Sequence, residues 1–246
     1  MKEKKVSVLF GVPVDNVNMA QATQKAAAFL DQPGNHLVVT PNAEIMHMCI
    51  KEPQVRQAVC AADLIVPDGI GVVLAAKIMK KPLQEKVAGI DLAANLLGEL
   101  EKKGKKLFLL GAKPGVAKAA AAKMTEIHPR LQIAGMHDGY FEEDGPVIAQ
   151  INQSGADALF VCLGAPKQEM WMNRYRDQIQ THLMMGLGGV LDVYAGNVKR
   201  APDLFVKLGL EWFYRLLKQP SRLGRMMKLP AFLIRAMAAR LSRSAS

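Results

Sequence analysis

This sequence predicts a doubly wound, Rossmann-like α/β fold on a mostly parallel sheet, with a short basic helical appendage at its C-terminus. Three observations carry that expectation. Short apolar runs alternate along the chain with helix-like stretches. The runs are nearly continuous rather than alternating apolar with polar, as suits parallel strands buried on both faces. Positive charge also gathers after Gly196, where eleven basic and two acidic residues hold +9 of the net charge of +10. The expected division is a core over residues 1–198 and an appendage over 199–246.

The elements follow in order. Val6–Phe10 reads as a first strand. Its charged leader, Met1 to Lys5, has the look of a secretion signal, but the apolar run is too short and Asp15 and Asn16 follow it. Leu37–Val39, Leu64–Val66, Leu107–Leu110, Leu159–Leu163 and Leu183–Leu187 read as strands, each ending in a turn. Helices are expected over Ala43–Lys51, Pro53–Ala62, Val72–Ile78, Gly115–His128, Glu142–Ser154 and Pro166–His182; the fourth is rich in alanine and lysine, both strong helix formers. Beyond Ala201, Leu204, Phe205, Trp212 and Phe213 mix with Lys and Arg, and Pro220 and Pro230 divide the tail into short helices.

At 246 residues, half of them hydrophobic, the chain is long enough for one large α/β domain. Cys49, Cys60 and Cys162 lie far apart in apolar runs and read as reduced, buried thiols. No apolar stretch is long enough to span a bilayer.

In a doubly wound sheet, ligands bind beyond the carboxyl ends of the strands. That rule gathers the candidate residues at one cleft. Asp68 ends a strand and precedes Gly69-Ile70-Gly71. Two readings are open for it: a general base for an incoming hydroxyl, or the cap of the following helix. The turn Gly111-Ala112-Lys113-Pro114-Gly115 offers backbone N–H groups to an anion, although any strand-to-helix turn uses such glycines. Gly164-Ala165-Pro166-Lys167-Gln168-Glu169 sets Lys167 and Gln168 at a helix start, within reach of phosphate or sugar oxygens, or simply in solvent. Gly188 and Gly189 permit close backbone approach, and Asp192 follows them as a ligand contact or a structural acceptor. Lys199 and Arg200 supply cations suited to a diphosphate. Tyr140 could stack on a base or simply be an exposed turn residue.

There is no Asp-x-Asp clamp, no zinc-spaced Cys/His cluster, no Gly-x-Ser-x-Gly and no kinase loop set. A site without metal or cofactor, neutralising diphosphate with cations and backbone N–H groups, is the expectation that remains. Few aromatic residues and no recognised module motif argue against nucleic acid as the partner of the basic tail.

Nine short motifs in order resemble the WecB/TagA/CpsF glycosyltransferases. They are Thr40–Glu44, Pro67–Gly71, Gly89–Leu92, Gly111–Gly115, Gly139–Phe141, Gly164–Glu169 with Trp171, Gly188-Gly189 with Asp192, Arg200–Pro202, and Leu210–Trp212 with Arg215. The resemblance runs from about Val6 to Arg225. It implies metal-independent, inverting transfer from a UDP-sugar donor to a polyprenyl-diphosphate-linked acceptor. In the nearest branch, N-acetylmannosamine passes to the 4-hydroxyl of N-acetylglucosaminyl-diphospho-undecaprenol, a step in making the teichoic acid linkage unit. By the same resemblance Asp68 is the base, and Thr40, Asn42 and Gln168 position the substrates. Tyr140, Asp192 and the glycine turns hold UDP, while Arg215, Arg222 and Arg225 reach the diphosphate from the tail. Lys86 stands where relatives are expected to carry arginine, which keeps the charge but not the bidentate fork.

Such an acceptor stays in the bilayer, so the tail is expected to dock on the anionic inner face of the cell membrane. A homo-oligomer is compatible with the sequence. Two alternatives stand beside this reading: a family member using another UDP-sugar, and a UDP-binding module without catalysis.

Overall fold

The computed structural model describes residues 6–202, 204–205, 210–218, 224 and 227–244. The chain begins with an antiparallel ribbon, β1 (Val6–Leu9) and β2 (Val12–Asp15), outside the main sheet. It continues through α1 (Met19–Phe29), β3 (His36–Val39), α2 (Ala43–Lys51), α3 (Pro53–Cys60), β4 (Leu64–Ile65), α4 (Ile70–Ile78) and α5 (Gly89–Lys103). Next come β5 (Lys106–Gly111), α6 (Val116–Ile127), β6 (Gln132–His137), α7 (Asp144–Gln153), β7 (Ala158–Cys162), α8 (Lys167–Tyr175), β8 (Leu183–Gly186) and α9 (Val190–Tyr194). The described part of the tail includes the helices Glu211–Lys218 and Lys228–Ser244.

The main sheet has the order β4-β3-β8-β7-β5-β6, with every adjacent pair parallel. Every residue of the central strands β7 and β8 is buried, whereas β6 is half-buried at one edge. The two-residue side-chain period of a strand sorts the apolar runs onto opposite faces. Val39, Phe108, Leu110, Leu159, Val161 and Met184 join one core with α2, α3, α4, α7 and α8. Val38, Leu107, Leu109, Phe160, Leu183 and Met185 join the other with α1, α5, α6 and α9. Both faces are therefore covered, as a parallel sheet requires.

Local signals set several helix ends. Asn18 forms a capping box with Gln21 at the start of α1. Asn42 caps α2, and Gly104 ends α5 in the left-handed conformation. α8 ends at Tyr175, short of the expected His182, because tertiary bonds take over its final turn. Arg176 donates to Asn35 O and Asp63, while Asn35 Nδ2 donates to the carbonyls of Arg176 and Ile179.

The C-terminal helix packs on α2 and α4 and completes the first core. Phe232 and Ala236 are fully buried there, and the Phe232 ring lies 5.5 Å from that of Phe10. Leu229 sits so close to α4 that a Cβ on Gly71 would come within 2.4 Å of its Cδ1.

Candidate active site

Helices leave neighbouring strands on opposite faces of the sheet. α2 follows β3 onto one face, α9 follows β8 onto the other, and α8 follows β7 back onto the first. A crevice must open at the strand ends between them. It is a cleft of about 330 Å³ bounded by the loops after β3, β4, β7 and β8, the start of α5, and the tail residues Glu211, Trp212 and Leu229.

Asp68 lines this cleft and is half-buried. The N-cap position of α4 falls on Gly69, at φ +84°, and not on Asp68. The backbone N–H of Asp68 donates to Pro41 O at 3.2 Å, which ties the β4 loop to the β3 loop.

Thr40 and Asn42 come from the β3 loop. Thr40 is buried, and its Oγ1 donates to Gly186 O at 3.1 Å, joining β3 to β8. Asn42 Oδ1 accepts the N–H groups of Glu44 and Ile45 at 2.9 and 3.1 Å. Its oxygen is spent on capping α2, so any ligand contact falls to its amide nitrogen.

Gln168 is the first-turn residue of α8 that faces the cleft, and it is only 2% exposed. Its Nε2 donates to Glu169 Oε1 at 2.8 Å, and its Oε1 accepts the Gly188 N–H at 2.9 Å. Glu169 is buried too, and burial pushes its carboxyl above the usual 4.5. Gly164, Gly188, Gly189 and Asp192 also line the cleft, with Gly188 in the left-handed region at φ +57°.

The expected cations that the structure describes lie elsewhere. Among the described residues the lining contains no Lys or Arg, but carries the carboxylates of Glu44, Asp68, Asp192 and Glu211. Lys86 pairs with Glu211 at 2.6 Å and Lys228 with Glu44 at 2.9 Å, so each is tied to a lining carboxylate. Arg200 is held by Asp91 at 2.7 Å, and Lys199 is exposed. Lys167 is exposed as well, its ammonium 5.0 Å from the Phe141 ring. Arg215 lies on the helix Glu211–Lys218 with its side chain outside the described set, and Arg222 and Arg225 lie outside the described residues.

Gly111 and Tyr140 are likewise not part of the lining. A Cβ on Gly111 would sit 2.3 Å from Cys162 O, so close strand packing explains that glycine without a ligand. Tyr140 is 69% exposed on the β6 loop. Sequence reasoning gave no role to Glu44 or Trp212, although both sit inside the quoted motifs; nor did it give one to Leu229, whose only signal was an apolar tail. Among the described residues, no group of three or more His, Cys, Asp or Glu is arranged to hold a metal ion.

Comparison with known proteins agrees with the motif order. A model of the glycosyl transferase WecG/TagA/CpsF family matches residues 6–246. The chain is 40% identical over 204 residues to the N-acetylglucosaminyldiphosphoundecaprenol N-acetyl-beta-D-mannosaminyltransferase of Bacillus subtilis strain 168, covering 83% of this chain and 80% of the relative. A protein of the same name from Bacillus spizizenii is 38% identical over 219 residues, covering 89% and 85% of the two chains. Another, from Staphylococcus aureus strain MW2, is 38% identical over 232 residues, covering 93% and 91%.

Proposed function

This chain belongs to the glycosyl transferase WecG/TagA/CpsF family, and from that membership we propose that it transfers N-acetylmannosamine from a UDP donor to the 4-hydroxyl of N-acetylglucosaminyl-diphospho-undecaprenol. The observation that carries this reading is Asp68, a carboxylate in the loop after β4 that lines the same cleft as Thr40 and Gln168.

Asp68 takes the proton of the acceptor hydroxyl as its oxygen attacks the anomeric carbon. The bond from that carbon to the UDP oxygen breaks on the opposite face, so configuration inverts and UDP departs with the bonding pair. Thr40, Asn42 and Gln168 hold the sugars. The cleft floor at Gly164, Gly188 and Gly189 takes the donor, with Asp192 beside it; Lys167 and Tyr140 complete the UDP contacts from the rim.

The departing diphosphate needs positive charge, and the described lining offers none. We assign that task to Arg215, Arg222 and Arg225 of the tail, helped by Lys86, Lys199 and Arg200. The tail is then both part of the site and the membrane contact. Its exposed apolar residues, among them Phe213, Leu217, Ile234, Met237 and Leu241, alternate with basic ones. No described helix is long and apolar enough to cross a membrane, and the proposal is peripheral docking on the inner leaflet.

The test is UDP release from UDP-N-acetylmannosamine with the lipid-diphosphate acceptor, in EDTA. Acceptor-dependent release is expected in the wild type, and Asp68→Asn should lower it roughly 10²- to 10⁴-fold while UDP still binds. No release despite UDP binding would redirect the assay to other UDP-sugars, and then to a module without catalysis.

A further inference from the structure

Glu169 is 1% exposed, and its Oε2 has no hydrogen-bond partner among the described residues. Its neighbours on the inner side of α8, Trp171 and Met172, are buried apolar residues. A methionine or leucine would pack there without desolvating a carboxyl. Its side-chain partner is at Oε1, which receives Gln168 Nε2 at 2.8 Å.

That bond has a directional consequence. The amide of Gln168 meets a carboxyl oxygen at one end and the Gly188 N–H at the other, at 2.9 Å. Flipping the amide would set oxygen against oxygen and N–H against N–H. The carboxyl therefore selects one orientation, and that orientation anchors the Gly188 turn. The network continues from there. A Cβ on Gly186 would lie 3.1 Å from Gln168 Nε2, so Gln168 packs directly on the end of β8, whose Gly186 carbonyl accepts the Thr40 hydroxyl. One chain of contacts thus links β3, β8 and α8 beneath the cleft.

We propose that Glu169 is a positioning residue: it orients the Gln168 amide and, through it, holds the Gly188 turn that floors the donor side of the cleft. The inference deepens the transferase reading, and its kinetic arm rests on that reading. A second arm, amide hydrogen exchange at Gly188, does not depend on turnover.

The experiment compares wild type, Glu169→Gln and Glu169→Leu for kcat, KM, Gly188 amide exchange and melting temperature. Glu169→Leu removes the acceptor. It is expected to lower kcat roughly 10- to 100-fold, the scale of a small displacement of bound reactants. Gly188 exchange should accelerate in step, without a matching fall in melting temperature. Glu169→Gln keeps an acceptor oxygen and should restore kcat and exchange to within about threefold of wild type.

Wild-type kcat and Gly188 protection in Glu169→Leu would overturn the proposal. Equal impairment of both variants would do so too. Should Glu169→Leu fail to fold, Gln168→Leu decides: unchanged Gly188 protection in that variant breaks the relay at its middle link. A wild type without turnover would sink the transferase reading, and the exchange arm would still judge Glu169.

Discussion

Asp68 and Glu169 are both acids near the same cleft, and their surroundings separate the tasks proposed for them. Asp68 is half-buried at the cleft wall, where a base can meet a hydroxyl. Glu169 is sealed beneath it, and burial raises its pKa above the ordinary 4.5. The raised value predicts a stability profile of definite sign. Below 4.5 the folded and unfolded chains both hold the proton, so Glu169 carries no ionisation penalty. As pH rises from there toward the folded value, the unfolded chain releases its proton first, and stability falls. Above the folded value the loss is complete and the curve flattens. Glu169→Gln cannot titrate, so its denaturant midpoint should decline less than that of wild type as pH rises from 4.5. Parallel midpoints across that window would show that the buried acid contributes no linkage.

At the scale of elements, the C-terminal helix matters most. It follows a long, charged tail segment, yet it supplies Phe232 and Ala236 to a core built mainly from α2, α3, α4 and α8. Phe232→Ala should therefore cost about 3–5 kcal/mol in unfolding free energy, as for other large-to-alanine core changes. A loss below about 1 kcal/mol would mean the helix detaches without cost to the fold. The helix Glu211–Lys218 is tied differently, with Lys86–Glu211 as its ion pair to the body, both side chains about one-fifth exposed. Partly exposed pairs contribute little, so this helix, which lines the cleft, is held to the body only weakly by that pair. α1, α5 and β6 are absent from the sequence expectation for separable reasons. α1 buries only the small side chains Ala22, Ala26 and Ala27. β6, Gln132–His137, is a half-buried edge strand with a weak apolar signature. α5 carries a readable helical period in Leu92, Leu96, Leu97 and Leu100; only its first turn, Gly89–Leu92, entered as a motif.

For the whole molecule, the charge asymmetry and the exposed apolar residues of the tail point the same way. Because the C-terminal helix helps form the core, removing residues after Gly196 would test folding and membrane docking together. Surface changes separate them. Replacing exposed Ile234, Met237 and Leu241 by serine should leave the melting temperature near wild type. It should weaken flotation with anionic vesicles at least about tenfold, since each lost side chain forfeits roughly 1–2 kcal/mol of apolar burial. Unchanged flotation would assign membrane contact to another surface. Raising salt from 0.1 to 0.5 M should weaken wild-type binding as well, because the attraction is screened.

Short-range chemistry was readable from the chain alone. The apolar runs, Asn42 as a cap residue, the glycine turns and the order of the nine motifs depend on neighbours a few residues away, and they announced the parallel sheet, the family and the position of Asp68 at a strand end. Long-range partnership was not readable. Lys86 meets Glu211 across 125 positions, Arg200 meets Asp91 across 109, and Lys228 meets Glu44 across 184. An ion pair forms where folding brings two charges within a few ångströms, and no local pattern encodes that distance. The same holds for the burial of Phe232 and for the orphaned oxygen of Glu169. Each depends on which surfaces the sheet brings together, and that is settled only when the strands take their order.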